Sequence, residues 1–393
     1  MNSILFYISQ FKRLICSGFT VFVFLPLSAI GFESCSFYDD FNTGSNANTS
    51  LSIVSWNVQS LFDGRDDGWE YEEFRDGSGW SEEKYTARLN SIAKAIMTMG
   101  EKTPDVIAFI ELENSEILEK LYKDFLYKQG YKYSFFAGNP GYSLGIGVLS
   151  KLKLTKTAAH SMNVDGEIIP RPVAELWLDA DGVTLILFAC HWKSKLGGEK
   201  STEKLRREAA KIIIRRQREF AVSDPNTPII ILGDLNENHD EFYRSGLEYI
   251  CALLPDDPDA ARLAGFSFPS TDGDEISTRN PFSGTIAQDF LILSGEKPPE
   301  SVFFNSSDGI FYSPWGNEIT NGSYFYKDNW ETIDHFLLNA AFFDNADIEF
   351  KNCYVMDCEP FVNSKGEPDR YNPRTGLGLS DHLPLLLTLT HRP

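Results

Sequence analysis

The sequence lacks any excess of positive charge. Its 36 lysine and arginine residues are outnumbered by 56 aspartate and glutamate residues, which gives a formal net charge of −20. This balance excludes proteins whose whole surface coats nucleic acid, since such binding depends on basic side chains. It does not exclude a small anionic substrate that is held by a metal ion and a few local cations.

The sequence also lacks internal repeats, and no proline- or glycine-rich linker divides the chain after residue 50. Residues 51–393 are therefore predicted to form one large domain. Residues 255–332 are rich in glycine, proline, asparagine, aspartate and serine, and this composition is typical of long loops with short strands.

Only one long apolar run occurs, and it lies near the N-terminus. Lys12 and Arg13 precede an uncharged run over residues 14–32, which is the pattern of an export signal. A transmembrane anchor is the alternative, because the run has nearly the length of a membrane span. We expect residues 1–35 to be a cleaved export signal.

A polar stretch over residues 36–50 follows Cys35 and is predicted to be a tether. A cysteine that closes an apolar run before such a tether resembles the arrangement in bacterial lipoproteins. The protein is therefore expected either to be anchored in the cell envelope through Cys35 or to be secreted.

Cysteine is scarce, with six residues in the whole chain, and four of them lie beyond Cys35. An exported protein enters an oxidising compartment, where disulfides are stable. Cys353 and Cys358 are close in sequence, in a segment whose composition suggests a polar loop, and they are the predicted pair. Zinc binding is the alternative, although no second Cys/His pair at ligand spacing accompanies them.

Strand-like runs alternate with helix-like runs along the chain, and this alternation predicts an α/β fold. The predicted strands are LSIVSW (51–56), DVIAFIEL (105–112), GIGVLS (145–150), VAELWLD (173–179), TLILFACHW (184–192), PIIILG (228–233), DHFLLN (334–339) and LPLLLTL (383–389). The predicted helices cover residues 82–99, 114–129 and 202–221.

Polar residues of the kinds that bind cations and phosphates lie near the ends of most of these strands. They are Asn57, Glu111, His191, Asp234, Asn236, Asp334, Asp381 and His382. Taken singly, each has an ordinary structural explanation as a turn residue, a capping residue or a core histidine. Because sites in open α/β sheets form outside strand ends, their joint order predicts a divalent-cation site suited to phosphate chemistry.

Eight stretches together resemble the endonuclease/exonuclease/phosphatase superfamily. They are SWNVQSLFD (55–63), PDVIAFIELEN (104–114), GIGVLSK (145–151), RPVAELWL (171–178), ACHWKSK (189–195), IILGDLNE (230–237), ETIDHFLLN (331–339) and LSDHLPLLL (379–387). The resemblance implies two packed mixed β-sheets flanked by helices, a four-layer α/β sandwich with the site at one edge. It also implies a metal-dependent phosphoric ester hydrolase.

The resemblance implies a metal centre built from three of the polar residues. Glu111 matches the principal metal ligand, Asn57 would help to hold the metal or the phosphate, and Asp381 would complete the metal shell. Mg²⁺ is the expected ion, with Mn²⁺ and Ca²⁺ as alternatives.

The other matched residues are expected to act in catalysis. Asp334 would orient His382, the expected general base for the attacking water. Asp234 and Asn236 would position the nucleophile and stabilise the phosphate. His191 would donate a hydrogen bond to a phosphate oxygen or to the leaving group. The sequence leaves open whether Asp234 or His382 takes the proton.

The sequence thus predicts an exported, Mg²⁺-dependent phosphodiesterase of nuclease type. Arg171, Lys193 and Lys195 are expected to supply positive charge to the substrate phosphate, although the two lysines fit a solvated loop equally well. RPVAELWL, HWKSK and the tract GSYFYKDNWETIDHFLLN (322–339) resemble bacterial extracellular nucleases. Nucleic acid would bind weakly and without sequence preference, since phosphate contacts carry no base information. Membrane contact is expected only through a lipid anchor, and no protein partner is predicted.

Two other functions are consistent with the sequence. One is a phosphatase or phospholipase C-type enzyme that acts on an inositol phosphate or sphingomyelin. A lipid-cleaving member needs an exposed aromatic hairpin, and the aromatic-rich segment 300–315 is the candidate, unless it packs on the core. The other is a non-catalytic surface-binding protein on the same fold, which would have no need to retain every catalytic group.

Overall fold

Two β-sheets dominate the structure of the protein, a computed structural model that describes residues 49–139, 141–257, 260, 263, 288–297, 309–319 and 321–391. The predicted export signal over residues 1–35, residues 36–48 of the predicted tether and residues 300–308 of the aromatic-rich segment lie outside the described residues. No helix among the described residues has the length and apolarity that a membrane span requires.

Sixteen strands form the sheets in the described part of the chain. They are β1 (Thr49–Leu61), β2 (Val106–Leu112), β3 (Tyr133–Ala137), β4 (Gly145–Ser150), β5 (Lys153–Val164), β6 (Glu167–Ala180), β7 (Val183–His191), β8 (Ile229–Asp234), β9 (Leu253–Pro255), β10 (Leu291–Ser294), β11 (Ile310–Tyr312), β12 (Tyr324–Tyr326), β13 (Asn329–Glu331), β14 (Asp334–Leu338), β15 (Ile348–Val355) and β16 (Leu385–His391).

Both large sheets contain parallel and antiparallel pairs. The six-stranded sheet has the order β15-β16-β1-β2-β4-β3, and the eight-stranded sheet has the order β5-β6-β7-β8-β14-β11-β10-β9. β1 is parallel to β2, and β7 is parallel to β8, so the C-terminal residues of each pair lie at the same end of their sheet. β12 and β13 form a separate hairpin.

Four α-helices are present among the described residues: α1 (Glu82–Met97), α2 (Ser115–Lys120), α3 (Glu199–Ser223) and α4 (Glu241–Arg244). α1 begins after Ser81, whose side chain accepts a hydrogen bond from the backbone N–H of Lys84. Asn114 caps α2 in the same way, by accepting from the N–H of Ile117 at 3.0 Å. The helix predicted over 114–129 continues beyond α2 as a π-helical segment, Leu121–Leu126.

The two sheets pack face to face around a shared apolar core, and helices cover the outside. Alternate residues of β7 show the layering, because successive strand side chains point to opposite faces. Leu185 and Leu187 enter the core shared with the six-stranded sheet. Ile186 and Phe188 pack in a second cluster with Ile213 of α3. The predicted four-layer α/β sandwich is confirmed.

All eight predicted strands occur, but the sequence did not identify β3, β5 or β15, and it gave only an expectation of short strands where most of β9–β13 lie. The apolar alternation that identifies a half-buried strand is weak in β5, because most of its residues are exposed or half-buried. β15 combines charged and amide residues with its apolar ones, and it was interpreted as part of a polar segment.

The predicted disulfide between Cys353 and Cys358 is wrong. Cys353 is a free, buried thiol, whereas Cys358 is disulfide-bonded elsewhere. The physical reason is that Cys353 lies within β15 and not in a loop. It pairs with Leu387 of β16 and points into the core shared by the sheets, where burial raises the pKa of its thiol.

Candidate active site

A double bulge near the C-terminal ends of the central strands β1 and β2 presents Asn57 and Glu111 at one end of the six-stranded sheet. Val58, Gln59 and Ser60 stand against the single residue Glu111 in the pairing of the two strands. Gln59, Ser60 and Glu111 have φ angles of 54°, 52° and 74°. Residues other than glycine rarely adopt this left-handed conformation, so the backbone is strained where the predicted metal ligand lies.

Three more predicted site residues meet at one end of the eight-stranded sheet, on inner strands. Asp234 ends β8, His191 ends the parallel neighbour β7, and Asp334 begins the antiparallel neighbour β14. The registers place Asp234 directly beside both. Gly233 has a φ of 124°, and a Cβ there would lie 2.0 Å from the carbonyl oxygen of Cys190, so only glycine allows β7 and β8 to approach this closely.

These two sheet ends form a cleft of about 340 Å³. Seven predicted site residues line it: Glu111, Arg171, His191, Asp234, Asn236, Asp381 and His382. Asn57 and Asp334 are buried and contact the residues that line the cleft. The structure therefore brings together all eight polar residues that the sequence placed near strand ends.

Asp334 and His382 form a buried hydrogen-bonded pair. His382 Nδ1 lies 2.8 Å from Asp334 Oδ2, and Ser323 Oγ donates to the same oxygen at 2.6 Å. Burial alone would lower the pKa of His382, but the charge and hydrogen bond of Asp334 outweigh it and raise the pKa to about 10. The imidazole ring stacks on Tyr324 with 4.5 Å between ring centroids.

Burial acts in the opposite direction on the carboxylates of the cleft. It raises the pKa of Asp234 to about 7, with Asp334 and Glu111 adding to the shift and His382 opposing it. It also raises the pKa of Asp381. Burial and the nearby Arg171 hold the pKa of His191 well below its usual range, so His191 is neutral.

The donor atoms in the cleft fit a divalent cation. Carboxylate oxygens of Glu111 and Asp234 and a ring nitrogen of His191 all lie within 4.8 Å of one another. In the part of the chain that the structure describes, no lysine or arginine forms an ion pair with Glu111 or Asp234. Partly buried carboxylates without a cationic partner are costly, and hard oxygen donors are the ligands that Mg²⁺ prefers.

Asn57 links the two sheets by donating to both carboxylates. Its Nδ2 lies 3.2 Å from Glu111 Oε1 and 3.1 Å from Asp234 Oδ2, while its Oδ1 accepts from the N–H of Gln59 at 3.0 Å. The predicted contact of Asn57 with the metal or phosphate stays a prediction. Asn236 has a φ of 53°, and its N–H donates to Asp234 Oδ1 at 2.9 Å.

The predicted basic residues divide into one that reaches the cleft and two that do not. Arg171 lines the cleft and is held by a hydrogen bond from Nη1 to the carbonyl of Trp192 at 2.5 Å. Lys193 donates to the carbonyl of Ser194. Lys195 pairs with the buried Glu241, with 2.5 Å between Nζ and Oε2, so its charge is already balanced outside the cleft.

Sequence reasoning missed several residues of the cleft. Ser60 donates to Glu111 Oε2 from both its N–H, at 2.7 Å, and its hydroxyl, at 2.9 Å. Arg370 lies 3.5 Å from Asp381, and Tyr71 and Tyr324 supply aromatic surface. Ser60 lies inside the recognised stretch SWNVQSLFD and was open to detection, whereas Tyr71 and Arg370 lie in irregular loops without a pattern.

No curated protein sequence matches the chain significantly. Solved structures with a similar fold include humanized D. rerio TDP2, with 15% identity and a TM-score of 0.46 over 86% of this chain and 98% of that chain. An endonuclease/exonuclease/phosphatase family protein from Bacteroides thetaiotaomicron has 14% identity and a TM-score of 0.49 over 88% of this chain and 100% of that chain. A mannosyl-6-phosphatase from the same organism has 14% identity and a TM-score of 0.48 over 86% of this chain and 99% of that chain.

A family model described as the Endonuclease/Exonuclease/phosphatase family matches residues 52–251, which is more than half of the 393-residue chain. The matched range contains the double bulge, His191 and the Asp234 strand end, and the cleft holds the carboxylates and histidines described above. The chain therefore belongs to the endonuclease/exonuclease/phosphatase family and is a metal-dependent phosphoric ester hydrolase.

Proposed function

We propose that the protein is an exported, Mg²⁺-dependent phosphodiesterase that hydrolyses nucleic acid by attack of water on phosphorus. The observation that carries the proposal is the convergence of Glu111, Asp234 and the Asp334–His382 pair on one cleft. Glu111 and Asp381 would hold the ion, which supplies charge neutralisation at the phosphoryl oxygens when it is bound. Arg171, at the wall of the same cleft, would add a charge-assisted hydrogen bond to the phosphate.

Asp234 and His382, two of the groups with perturbed pKa values in the cleft, suit different roles. Burial raises the pKa of Asp234 to about 7 in the metal-free protein, and a divalent cation in the cleft would lower it, so the carboxylate would be ionised near neutral pH and able to accept a proton from the attacking water. His382, with a pKa of about 10, is protonated at neutral pH and can bind a phosphoryl oxygen. Because Asp334 holds Nδ1, the ring is fixed in one orientation. We therefore assign the base to Asp234 and not to His382.

The surroundings of the cleft favour nucleic acid as the substrate. Arg171 and Arg370 supply local positive charge, and the exposed Tyr71 offers a ring on which an unpaired base can stack. The net charge of −20 opposes binding of a polyanion elsewhere on the surface. Binding should therefore be weak, confined to the cleft and sensitive to salt.

A substrate panel tests the proposal. Purified protein is incubated with single-stranded DNA, duplex DNA, RNA, sphingomyelin and an inositol polyphosphate, each with Mg²⁺ and with chelator. We expect Mg²⁺-dependent cleavage of nucleic acid at low salt, with Asp234→Asn as the inactive control. Protein that leaves DNA and RNA intact, yet hydrolyses sphingomyelin or the inositol phosphate, would contradict it.

A phospholipase C-type activity is the second candidate, and an exposed apolar patch favours it. Trp69, Tyr142 and Ile168 are 57%, 41% and 53% exposed. Tyr142 donates to the carbonyl of Ile168 at 3.0 Å, and the patch lies close in sequence to the cleft residues Tyr71 and Arg171. An apolar surface of this kind can enter the headgroup region of a bilayer.

The aromatic-rich segment does not supply such a surface in its described part. Phe311, Tyr312 and Trp315 are all buried in the core. Sedimentation with vesicles of phosphatidylcholine and sphingomyelin tests the Trp69 patch. Binding that is lost in a Trp69→Ser/Ile168→Ser variant, together with sphingomyelin hydrolysis, would establish the second candidate in place of the first.

Export and lipid anchoring are proposed from the sequence of residues 1–50. The basic start, the apolar run and the polar tether support cleavage before Cys35 and attachment of lipid to it. Cell fractionation with mass analysis of the mature N-terminus tests this. An uncleaved chain in the cytoplasm would refute export, and a soluble product cleaved elsewhere would refute lipidation alone.

A further inference from the structure

Arg88 is buried in helix α1 and points its guanidinium at the double bulge of β1. Only 2% of its surface is exposed. Its Nη2 donates to the carbonyls of Val58 and Gln59 at 2.6 and 2.5 Å, and its Nη1 donates to the carbonyl of Ser60 at 3.1 Å. One planar fork thus satisfies the carbonyls of three consecutive residues.

The conformation of the bulge explains why three carbonyls meet at one point. The left-handed φ angles of Gln59 and Ser60 end the strand geometry in which successive carbonyls point to opposite sides. The three oxygens turn together toward α1, where water is excluded. The Ser60 carbonyl also accepts from the N–H of Phe62 at 3.1 Å. Buried carbonyls without a donor are costly, so the bulge depends on Arg88 above all at the Val58 and Gln59 carbonyls, which share its Nη2.

The opposite side of the bulge faces the cleft. Ser60 donates to Glu111 Oε2 from its N–H and its hydroxyl, and the N–H of Gln59 donates to Asn57 Oδ1. The bulge therefore has a carbonyl side held by Arg88 and a donor side that fixes Asn57 and Glu111. A shift of this backbone would move both side chains together.

The guanidinium itself is held from behind by Tyr371. Its central carbon lies 3.8 Å from the centroid of the Tyr371 ring, and the Tyr371 backbone bonds both side-chain ends of Gln59, at 2.9 and 3.0 Å. Among the described residues, no carboxylate lies within ion-pair distance of Arg88. Its Nη1 and Nη2 groups therefore donate to the carbonyls of the bulge and not to a counter-ion.

We propose that Arg88 is a positioning residue of the metal centre: it holds the β1 bulge so that Ser60 and Asn57 fix the Glu111 carboxylate before an ion binds. The inference rests on the metal site at Glu111 in the proposed function. Preorganisation of this kind tightens ion binding, because partners behind a metal ligand set its orientation. Arg88 does not touch the substrate and is not a catalytic residue.

Arg88→Lys is the informative variant, because it keeps the buried charge and removes the fork. Direct binding of Mn²⁺ to the metal-free protein is followed by the electron paramagnetic resonance signal of the free ion. We expect the variant to bind Mn²⁺ about tenfold or more weakly than wild type, as for other residues behind a metal ligand. Unchanged affinity would overturn the inference.

Arg216→Lys is the matched control. Arg216 also lies on a helix, α3, and forks onto a buried partner, with Nε and Nη2 at 2.7 and 2.9 Å from the Glu175 carboxylate. Glu175 does not line the cleft. Arg216→Lys should therefore lower the melting temperature without changing Mn²⁺ affinity. Equal losses of Mn²⁺ affinity in both variants would assign the effect of Arg88 to general destabilisation and overturn its positioning role.

Hydrogen exchange of the wild-type protein gives a test that needs no variant. The N–H groups of Gln59 and Ser60 should be protected in the metal-free protein, because Arg88 fixes the bulge before the ion arrives. Protection that appears only after Mn²⁺ is added would show that the ion, and not Arg88, orders the bulge.

The same measurements separate this inference from the proposed function. If wild type shows no saturable Mn²⁺ binding, or if Glu111→Gln binds as tightly as wild type, the metal site itself is wrong. If Glu111→Gln loses the ion while Arg88→Lys binds like wild type, only the role of Arg88 is wrong.

Discussion

Asp334 lies directly opposite Asp234 in the antiparallel pairing of β14 with β8. The two carboxylates nonetheless have different partners. Asp334 Oδ2 lies 2.8 Å from His382 Nδ1, whereas Asp234 Oδ2 accepts from the uncharged amide of Asn57 at 3.1 Å. The Asp334 carboxylate thus faces an imidazole ring, whereas the Asp234 carboxylate faces an amide at the cleft, and this difference in partners suits them to different tasks.

The Asp334–His382 pair should behave as one catalytic unit. We expect His382→Ala and Asp334→Asn each to lower kcat by about 10²- to 10³-fold, the usual contribution of a donor aimed at a developing oxyanion, with a smaller effect on KM. Because Asp334 acts through His382, the double variant should lose little more than either single variant. The kcat values of all three are compared at saturating Mg²⁺. A double variant whose loss equals the product of the two single losses would count against the pairing.

The raised pKa of Asp234 predicts a pH dependence of stability in the metal-free protein. The folded-state pKa is about 7 and the ordinary value is 3.8, so an unfolded chain releases this proton first as the pH rises. The contribution of Asp234 to stability therefore decreases between about pH 4 and pH 7 and is constant above that range. Asp234→Asn should remove this decrease.

His382 acts over a higher pH range. Its folded-state pKa is about 10 and its ordinary value is 6.5, so its stabilisation is complete below about pH 6.5 and is lost as the pH rises to about 10.

Urea unfolding in chelator from pH 4 to pH 10 compares wild type with Asp234→Asn. The plots of unfolding free energy against pH for the two proteins should have similar slopes above pH 7 and different slopes below it. Parallel curves throughout would show that the pKa of Asp234 is ordinary.

Glu111→Gln should remove metal-dependent activity and leave the fold intact. The substitution preserves the size of a side chain that is 17% exposed and accepts two hydrogen bonds from Ser60. Loss of a metal ligand should cost on the order of several kcal/mol of transition-state stabilisation. The rate is measured against Mg²⁺ concentration, and thermal melting in chelator checks the fold. A variant with wild-type turnover and unchanged Mg²⁺ dependence would contradict this role.

The buried half of the fold was predictable from sequence, and the reason is visible in β8. Residues Ile229–Asp234 are all buried, so the strand reads as a continuous apolar run with a polar end. β5 could not be recognised in this way, because it is largely exposed and only Met162 is buried, which leaves no regular apolar pattern. Cys353 was misplaced for a related reason, since charged neighbours hid the strand that contains it.

The positions of the proposed catalytic residues were predictable, but the residues that hold them were not. Asp234 and His382 lie next to buried strands and within recognisable motifs. Arg88 lies on a helix whose sequence shows only amphipathic spacing, and its role appears when the carbonyls of the β1 bulge are placed beside it. Gln59 bonds Tyr371 across a separation of 312 residues, and no local pattern encodes such a contact.

Cysteine labelling checks the corrected thiol assignment. Cys190, Cys251 and Cys353 are free and buried, so we expect none of them to react with iodoacetamide in the native protein. After denaturation without reductant, peptides that contain these three residues should carry the label. Absence of label from Cys353 after denaturation without reductant would contradict the structure.

Arg171 and Lys195 give the sharpest test of how the cleft binds phosphate. The sequence assigned the same role to both, but only Arg171 lines the cleft, and Lys195 pairs with the buried Glu241. Arg171→Met should lower kcat/KM by about 10- to 100-fold, because a hydrogen bond to a charged group is worth about 1.5–3 kcal/mol.

Lys195→Met is the control for that loss. It leaves Glu241 buried without its cation, so the melting temperature should fall while kcat/KM stays at the wild-type value. Replacing the partner as well, in Lys195→Met/Glu241→Gln, should restore part of the stability, since the uncompensated charge is removed. Both rates are measured at low salt and again at higher salt, where the difference between wild type and Arg171→Met should shrink because screening weakens the contact that only wild type can make. A loss of kcat/KM in Lys195→Met as large as that in Arg171→Met would mean that the lysine reaches the substrate after all.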